Sequence, residues 1–107
     1  MQQFPASFLL KDEIYQIRNY SRDNLRVLMR LDATKLDLKN PKVHRADHDF
    51  AVTWAKTYGK GRVYYSTLGH PVENWDNPQI QKMYSEAIKW ATHQVDADAK
   101  PRPAPAN

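Results

Sequence analysis

The sequence has no cysteine. That removes disulfides, zinc–thiolate sites and a thiol nucleophile together, and it leaves the redox compartment open. Glycine is scarce, with three in 107 residues, at Gly59, Gly61 and Gly69. No glycine-rich phosphate loop and no nucleophile elbow can be assembled from them. No apolar run approaches the ~20 residues that a membrane-spanning helix needs. The N-terminus, Met1-Gln-Gln-Phe-Pro-Ala-Ser-Phe-Leu-Leu-Lys11, lacks a basic first region and a long apolar one, so no signal peptide is read there. A long block of one charge is also missing. The net charge is +4, and the basic residues between Arg18 and Arg45 are interrupted by Asp23, Asp32 and Asp37. No recognition helix or stacking motif accompanies them. The charge therefore reads as a solvated, mildly basic surface, and nucleic acid is not an expected partner.

What is present is a globular composition, 41% hydrophobic and 11% aromatic, on a chain long enough for one small domain. The domain is expected over residues 1–95. Residues 96–107, rich in Pro and Ala towards their end, are expected to be a disordered tail. The stretch with the clearest signal is Phe50 to Trp75. Two runs rich in β-branched and aromatic residues flank Gly59-Lys60-Gly61, the pattern of a hairpin with strands near 50–56 and 61–67. Phe50, Val52 and Trp54 share one face, and Ala51, Thr53 and Ala55 the other. On the second strand Val63, Tyr65 and Thr67 oppose Arg62, Tyr64 and Ser66. The run ends in Leu68-Gly69-His70-Pro71, where Gly69 lets the backbone bend and Pro71 cannot continue a ladder. His70 is thus placed at a strand tip.

Residues 8–17 are a short apolar run around Asp12-Glu13, and periodicity does not decide between strand and helix. Residues 18–24 read as a loop. Residues 25–31 read as a strand, with Leu25, Val27, Met29 and Leu31 on one face. Residues 32–49 are polar and lack periodicity. They hold His44 and His48 at a spacing that can bind a metal on a helix, but nothing makes the stretch helical, so it reads as a solvated loop and no metal site is assigned. Asp76-Asn77-Pro78 is a helix start. Ile80, Met83, Tyr84, Ala87, Ile88 and Ala91 then form an apolar stripe over a helix of about 78–93, with Trp90 at its border. Three strands and one helix cover one sheet face. The other face and the edges are left bare, which implies self-association or a missing N-terminal half.

From Trp54 to Trp90 the sequence resembles the trehalose-utilisation, or ThuA-like, family. The resemblance rests on Trp54, on Tyr58-Gly-Lys-Gly-Arg-Val-Tyr-Tyr65, on Leu68-Gly69-His70, on Trp75 with Asp76 and Pro78, and on Ile88-Lys-Trp-Ala91. Asp12-Glu13-x-Tyr15 and Val27-Leu28 extend it to roughly residues 10–92. It implies an α/β fold, the C-terminal part of a three-layer α/β/α domain of the flavodoxin-like, class I glutamine amidotransferase-like kind. The amidotransferase relatives place a His near a late strand end, followed by Pro and Glu. His70-Pro71 is similar, with the acid displaced to Glu73. Without a cysteine no triad forms, so the likeness concerns fold more than reaction.

The family is associated with bacterial sugar metabolism, trehalose and related disaccharides above all. The implied partner is a sugar or sugar-derived small molecule, and the implied compartment is the bacterial cytoplasm or periplasm. No cofactor is specified. His70 is the leading candidate for chemistry, because imidazole titrates near neutrality and serves as acid, base or ligand. Glu13, beside Tyr15, is placed to orient an imidazole or a sugar hydroxyl. Trp75 and Tyr65 are candidates to stack on a sugar face, and Glu73 to bind substrate. Arg62 and Lys60 read as hairpin surface. Two functions stay open: acid–base chemistry on a sugar, and a non-catalytic sugar-binding or interaction module of the same fold.

Overall fold

Alternating β-branched and aromatic residues on either side of Gly59-Lys60 fold back on each other as expected. The computed structural model describes residues 4–17, 21–43, 47 and 49–102. Strand β1 spans Arg26–Arg30, β2 Ala51–Tyr58 and β3 Gly61–Ser66, and one helix, α1, spans Pro78–Ala91. The three strands form one antiparallel sheet in the order β1-β2-β3. The described chain is therefore α/β, with a small antiparallel sheet and a C-terminal helix. Tyr58 pairs with Gly61, and Gly59 turns the chain at φ +58°. A side chain at that φ is disfavoured, and glycine is not. Residues 8–17 form neither strand nor helix, and the described residues of the loop after β1 hold a 3-10 turn at Ala33–Lys35. His44 and His48 lie outside the described residues. No helix among those described is long and apolar enough to cross a membrane.

The most buried face of β2 is the small one. Ala51, Thr53 and Ala55 are buried, while Val52 and Trp54 are only half-buried. Cross-strand partners in an antiparallel pair share a face. Thr53 pairs with Ser66, Ala55 with Tyr64 and Thr57 with Arg62. Arg62 reaches α1, so the helix lies on this face. Thr53 hides its hydroxyl there by bonding Ser66 Oγ at 3.1 Å. The opposite face carries Trp54 stacked on Tyr65, with ring centroids 5.0 Å apart, and beside them Val52 and Val63.

Asn77 caps α1 by accepting from the Gln79 amide, with Pro78 in the first turn. The stripe that α1 buries is Ile80, Met83, Ala87 and Trp90. It is turned relative to the expected one. Trp90 is 2% exposed and Ile88 is 62% exposed. The larger indole takes the core position and pushes Ile88 towards water. The helix ends with His93 at φ +65°, the His93 amide on Trp90 O and the Gln94 amide on Lys89 O, which is a Schellman closure.

Arg62 is not idle hairpin surface. Its guanidinium donates to Trp90 O and Val95 O, each at 3.0 Å, and to Asp96 Oδ1 at 2.9 Å, and it lies over the Trp90 ring. A cation there adds a second donor to Trp90 O, fastens the chain just beyond the helix through Val95 O and Asp96, and interacts favourably with the C-terminal end of the helix dipole. Beyond it the chain returns to the outer edge of β1. The Arg102 amide donates to Leu25 O at 3.4 Å, its guanidinium donates to Val27 O, and Arg26 reaches Asp98 and Lys100 O. Arg102 thus occupies backbone acceptors at and just before an edge strand, while Asp98 and Lys100 O accept from Arg26.

Because Arg62 joins β3 to the end of α1 through three acceptors, Arg62→Ala is expected to cost about 1–3 kcal/mol in denaturant unfolding. Arg62→Lys should recover only part of this, since an ammonium cannot fork between two carbonyls and a carboxylate. Equal stability of the alanine variant and the wild type would show that the helix end needs no cation.

Candidate functional site

The chain leaving β3 is bent at Leu68-Gly69-His70 and is held there by residues far away in sequence. Gly69 has φ +120°. A Cβ built on it would lie 2.6 Å from Trp75 Cζ2 and 2.9 Å from Cε2. The Trp75 ring therefore lies directly against this glycine. Its indole N–H donates to Gly69 O at 2.7 Å, and its ring stacks on Tyr84 of α1 at 5.0 Å. The Tyr84 hydroxyl donates to Leu68 O at 2.5 Å. Trp75 belongs to a 3-10 turn, Val72–Asp76, that carries the chain from the bend into α1. Helix, turn and bend are thereby tied into one unit.

Asp12 approaches this unit from the N-terminal segment. Its Oδ2 accepts from the Gly69 amide at 2.7 Å and from Asn74 Nδ2 at 2.8 Å. Its Oδ1 accepts from the His70 amide at 3.2 Å and from the Glu13 amide at 2.7 Å. Asn74 is 8% exposed and also donates to Lys11 O at 2.9 Å. Burial pushes the Asp12 carboxyl up, but the amides of Gly69 and Glu13, the Asn74 side chain and the His70 amide outweigh it. The carboxyl is held below the ordinary aspartate range.

With the backbone of His70 fixed by Asp12, its imidazole meets the next residue. His70 Nδ1 lies 2.8 Å from Glu13 Oε2, and the Tyr15 hydroxyl donates to the same oxygen at 3.1 Å. The hydrogen bond to Glu13 raises the Tyr15 phenol above its usual value, and Tyr65 is near enough to add to the effect. The pair is open to water: the His70 side chain is 62% exposed and that of Glu13 47%. An imidazole whose Nδ1 faces a carboxylate presents Nε2 outward, the arrangement used by general bases and by metal-ligating histidines. Among the described residues no group of three or more metal-binding side chains comes together.

Of the residues marked in the sequence, His70 and Glu13 are in contact. Trp75 lies five residues after the bend, with its N–H and one ring face already engaged and the residue 46% exposed. Tyr65 sits on the sheet face opposite α1, stacked on Trp54 and 38% exposed. Glu73 is exposed in the 3-10 turn. Asp12, Asn74 and Tyr84 were not anticipated as parts of the site. Asp12 reaches across 57 residues to Gly69, and the only trace of it in the sequence is its place beside Glu13.

A family model described as ThuA, trehalose utilisation, matches residues 1–91. No curated protein and no solved structure matches the chain.

Two outcomes follow from the geometry of the bend. Gly69→Ala is expected to lose about 1–3 kcal/mol, from a φ that suits glycine alone and from the Cβ pressing on Trp75. The indole N–H resonance of Trp75 should move towards its solvent-exposed position in that variant. An unchanged indole resonance would mean that the ring does not rest on Gly69. The second outcome concerns acid. Asp12 has a folded pKa below its unfolded one, so its contribution is complete above the unfolded value and fades as pH falls through the folded value. Protection of the Gly69 amide should therefore be flat from neutrality down to about pH 4 and be lost only below it. Loss of protection between pH 5 and 7, where the reference pKa of His lies, would contradict this.

Proposed function

Because the chain belongs to the ThuA, or trehalose-utilisation, family, we propose that it acts on a disaccharide or an oxidised derivative of one by acid–base chemistry at His70. The observation that carries this reading is the 2.8 Å contact between His70 Nδ1 and Glu13 Oε2. Glu13 accepts the Nδ1 proton of the neutral imidazole, and the lone pair is then left on Nε2. That nitrogen takes a proton from a sugar hydroxyl, and the Glu13 carboxylate stabilises the imidazolium that results. The same nitrogen can return that proton to the alkoxide, so the exchange is balanced among the hydroxyl, the imidazole and the carboxylate. We assign Tyr65, Trp75 and Glu73 to substrate binding. The two exposed aromatic rings offer apolar faces for the C–H surface of a pyranose, and Glu73 an acceptor for its hydroxyls.

The domain on this reading is residues 1–95, and residues 96–107 are a tail whose first part, 96–102, lies against Arg62 and the edge of β1. Within the fold family, β1–β3 and α1 belong on the same reading to the later part of a three-layer α/β/α domain of the class I glutamine amidotransferase-like type. Support comes from the half-exposed Val63 and Tyr65, with Trp54 beneath, on the sheet face that α1 does not cover. Such a face accommodates a further layer.

A second reading, a sugar-binding module without turnover, has its own observation. The His70–Glu13 pair is more than half and nearly half exposed, respectively, and hydrolytic sites ordinarily exclude bulk water. Product formation from trehalose and from its oxidised derivative, followed by NMR beside calorimetric binding, separates the two. His70→Ala should lower turnover by an order of magnitude or more. It should cost less than about 1 kcal/mol of stability, because an exposed imidazole contributes little packing. Binding without product in the wild type selects the module. Full activity in His70→Ala removes His70 from the chemistry.

A further inference from the structure

We infer that Asp12 is a positioning residue for His70, acting through the backbone amides of Gly69 and His70 and through Asn74. The inference rests on the reading of His70 as the acid–base group, but its geometry stands without it. Two adjacent carboxylates divide one histidine between them. Asp12 holds its main chain, through the His70 amide at 3.2 Å and the preceding Gly69 amide at 2.7 Å. Glu13 holds its side chain at Nδ1.

The division has a physical reason. An exposed imidazole–carboxylate pair is weak in water and cannot by itself pin a loop. Amide–carboxylate bonds at a partly buried group are stronger and directional. Asp12 is also anchored on its own side. Its Oδ1 accepts from the Glu13 amide, which fixes the carboxylate relative to the peptide that carries Glu13. Asn74 closes the frame. Its buried side-chain amide donates both to Asp12 Oδ2 and to Lys11 O, joining the N-terminal segment to the turn that follows the bend. Any displacement of Asp12 moves the Glu13 carboxylate and the His70 backbone relative to each other, and with them the direction of Nε2.

Asp12→Asn preserves size but turns one acceptor into a donor that faces either the Glu13 and His70 amides or the Gly69 amide and Asn74. The test compares wild type, Asp12→Asn and Asp12→Glu by three measurements: hydrogen exchange of the Gly69 amide, the nitrogen-15 shifts of the His70 imidazole, and trehalose binding and turnover. Amide exchange of β2 and β3 serves as the control for the fold. In Asp12→Asn the Gly69 amide should exchange at least roughly tenfold faster. The His70 ring should pass from one dominant tautomer to a mixture, and any turnover seen in the wild type should fall with it. Asp12→Glu, longer by one methylene, should fall between. The inference is overturned if Asp12→Asn keeps both the Gly69 protection and the imidazole tautomer of the wild type while the hairpin is native. It is also overturned if both variants unfold the whole sheet, since Asp12 would then be holding the fold and not the histidine. A wild type with no trehalose turnover removes the proposed function alone, and the imidazole shifts still decide the role of Asp12.

Discussion

The Asp12 carboxylate accepts from four donors: the amides of Glu13, Gly69 and His70 and the side chain of Asn74. Those donors belong to the N-terminal segment, to the bend after β3 and to the turn before α1. Segments 4–17 and 67–77 contain no strand, and only the 3-10 turn at Val72–Asp76 is regular. Backbone groups without a ladder need partners elsewhere, and one carboxylate supplies them. The bend can then be sharp, Gly69 can take a φ that other residues avoid, and Trp75 can close against it. If Asp12 is removed, the bend and the turn stay joined through Trp75 on Gly69 O, and of the contacts described above the N-terminal segment keeps to them Asn74 on Lys11 O and the exposed His70–Glu13 pair.

The second organising constraint is the way the sheet receives its helix. Ala51, Thr53 and Ala55 are the buried side chains of β2 and Ile80, Met83, Ala87 and Trp90 those of α1, which meets the sheet at β3. Arg62 then ties β3 to the carbonyls at the helix end. In the tract Tyr58-Gly-Lys-Gly-Arg-Val the first glycine makes the turn, and the arginine fastens the strand that follows it to the helix. The tract therefore serves the fold at both ends of β3, while the chemistry-bearing residues begin only at its far end.

Much of this was legible in the sequence. Period-two alternation marked both hairpin strands to within two residues, and the Asn77-Pro78 pair marked the start of α1, because these signals are local. The face of β2 that would be most deeply buried was not legible. Val52 and Trp54 have the greater hydrophobicity, yet Ala51, Thr53 and Ala55 are the residues of β2 that are buried. The rotation of α1 was equally hidden: Ile88 fits the apolar pattern, yet Trp90 has more area to bury. Arg62 looked like surface because nothing in its neighbourhood in sequence announces a helix end 28 residues away. At the site, the resemblance pointed to His70 and Glu13, and the structure brings them into contact. Asp12 and Asn74 escaped notice because their roles are contacts over about sixty residues, which one sequence does not encode visibly.

The division of labour between Asp12 and Glu13 bears on how such a site can be exposed and still be ordered. The hydrogen bond between His70 Nδ1–H and Glu13, both largely in water, contributes about 1 kcal/mol or less. It sets a tautomer but does not hold a loop. The holding is done where water has less access, at the Gly69 amide and the buried Asn74 side chain. Tyr15 adds a second donor to Glu13 Oε2 without enclosing it. The imidazole can therefore keep a fixed direction while Nε2 stays open to solvent. On the proposed reading of His70, a sugar bound there would itself have to exclude water from the imidazole before proton transfer became efficient.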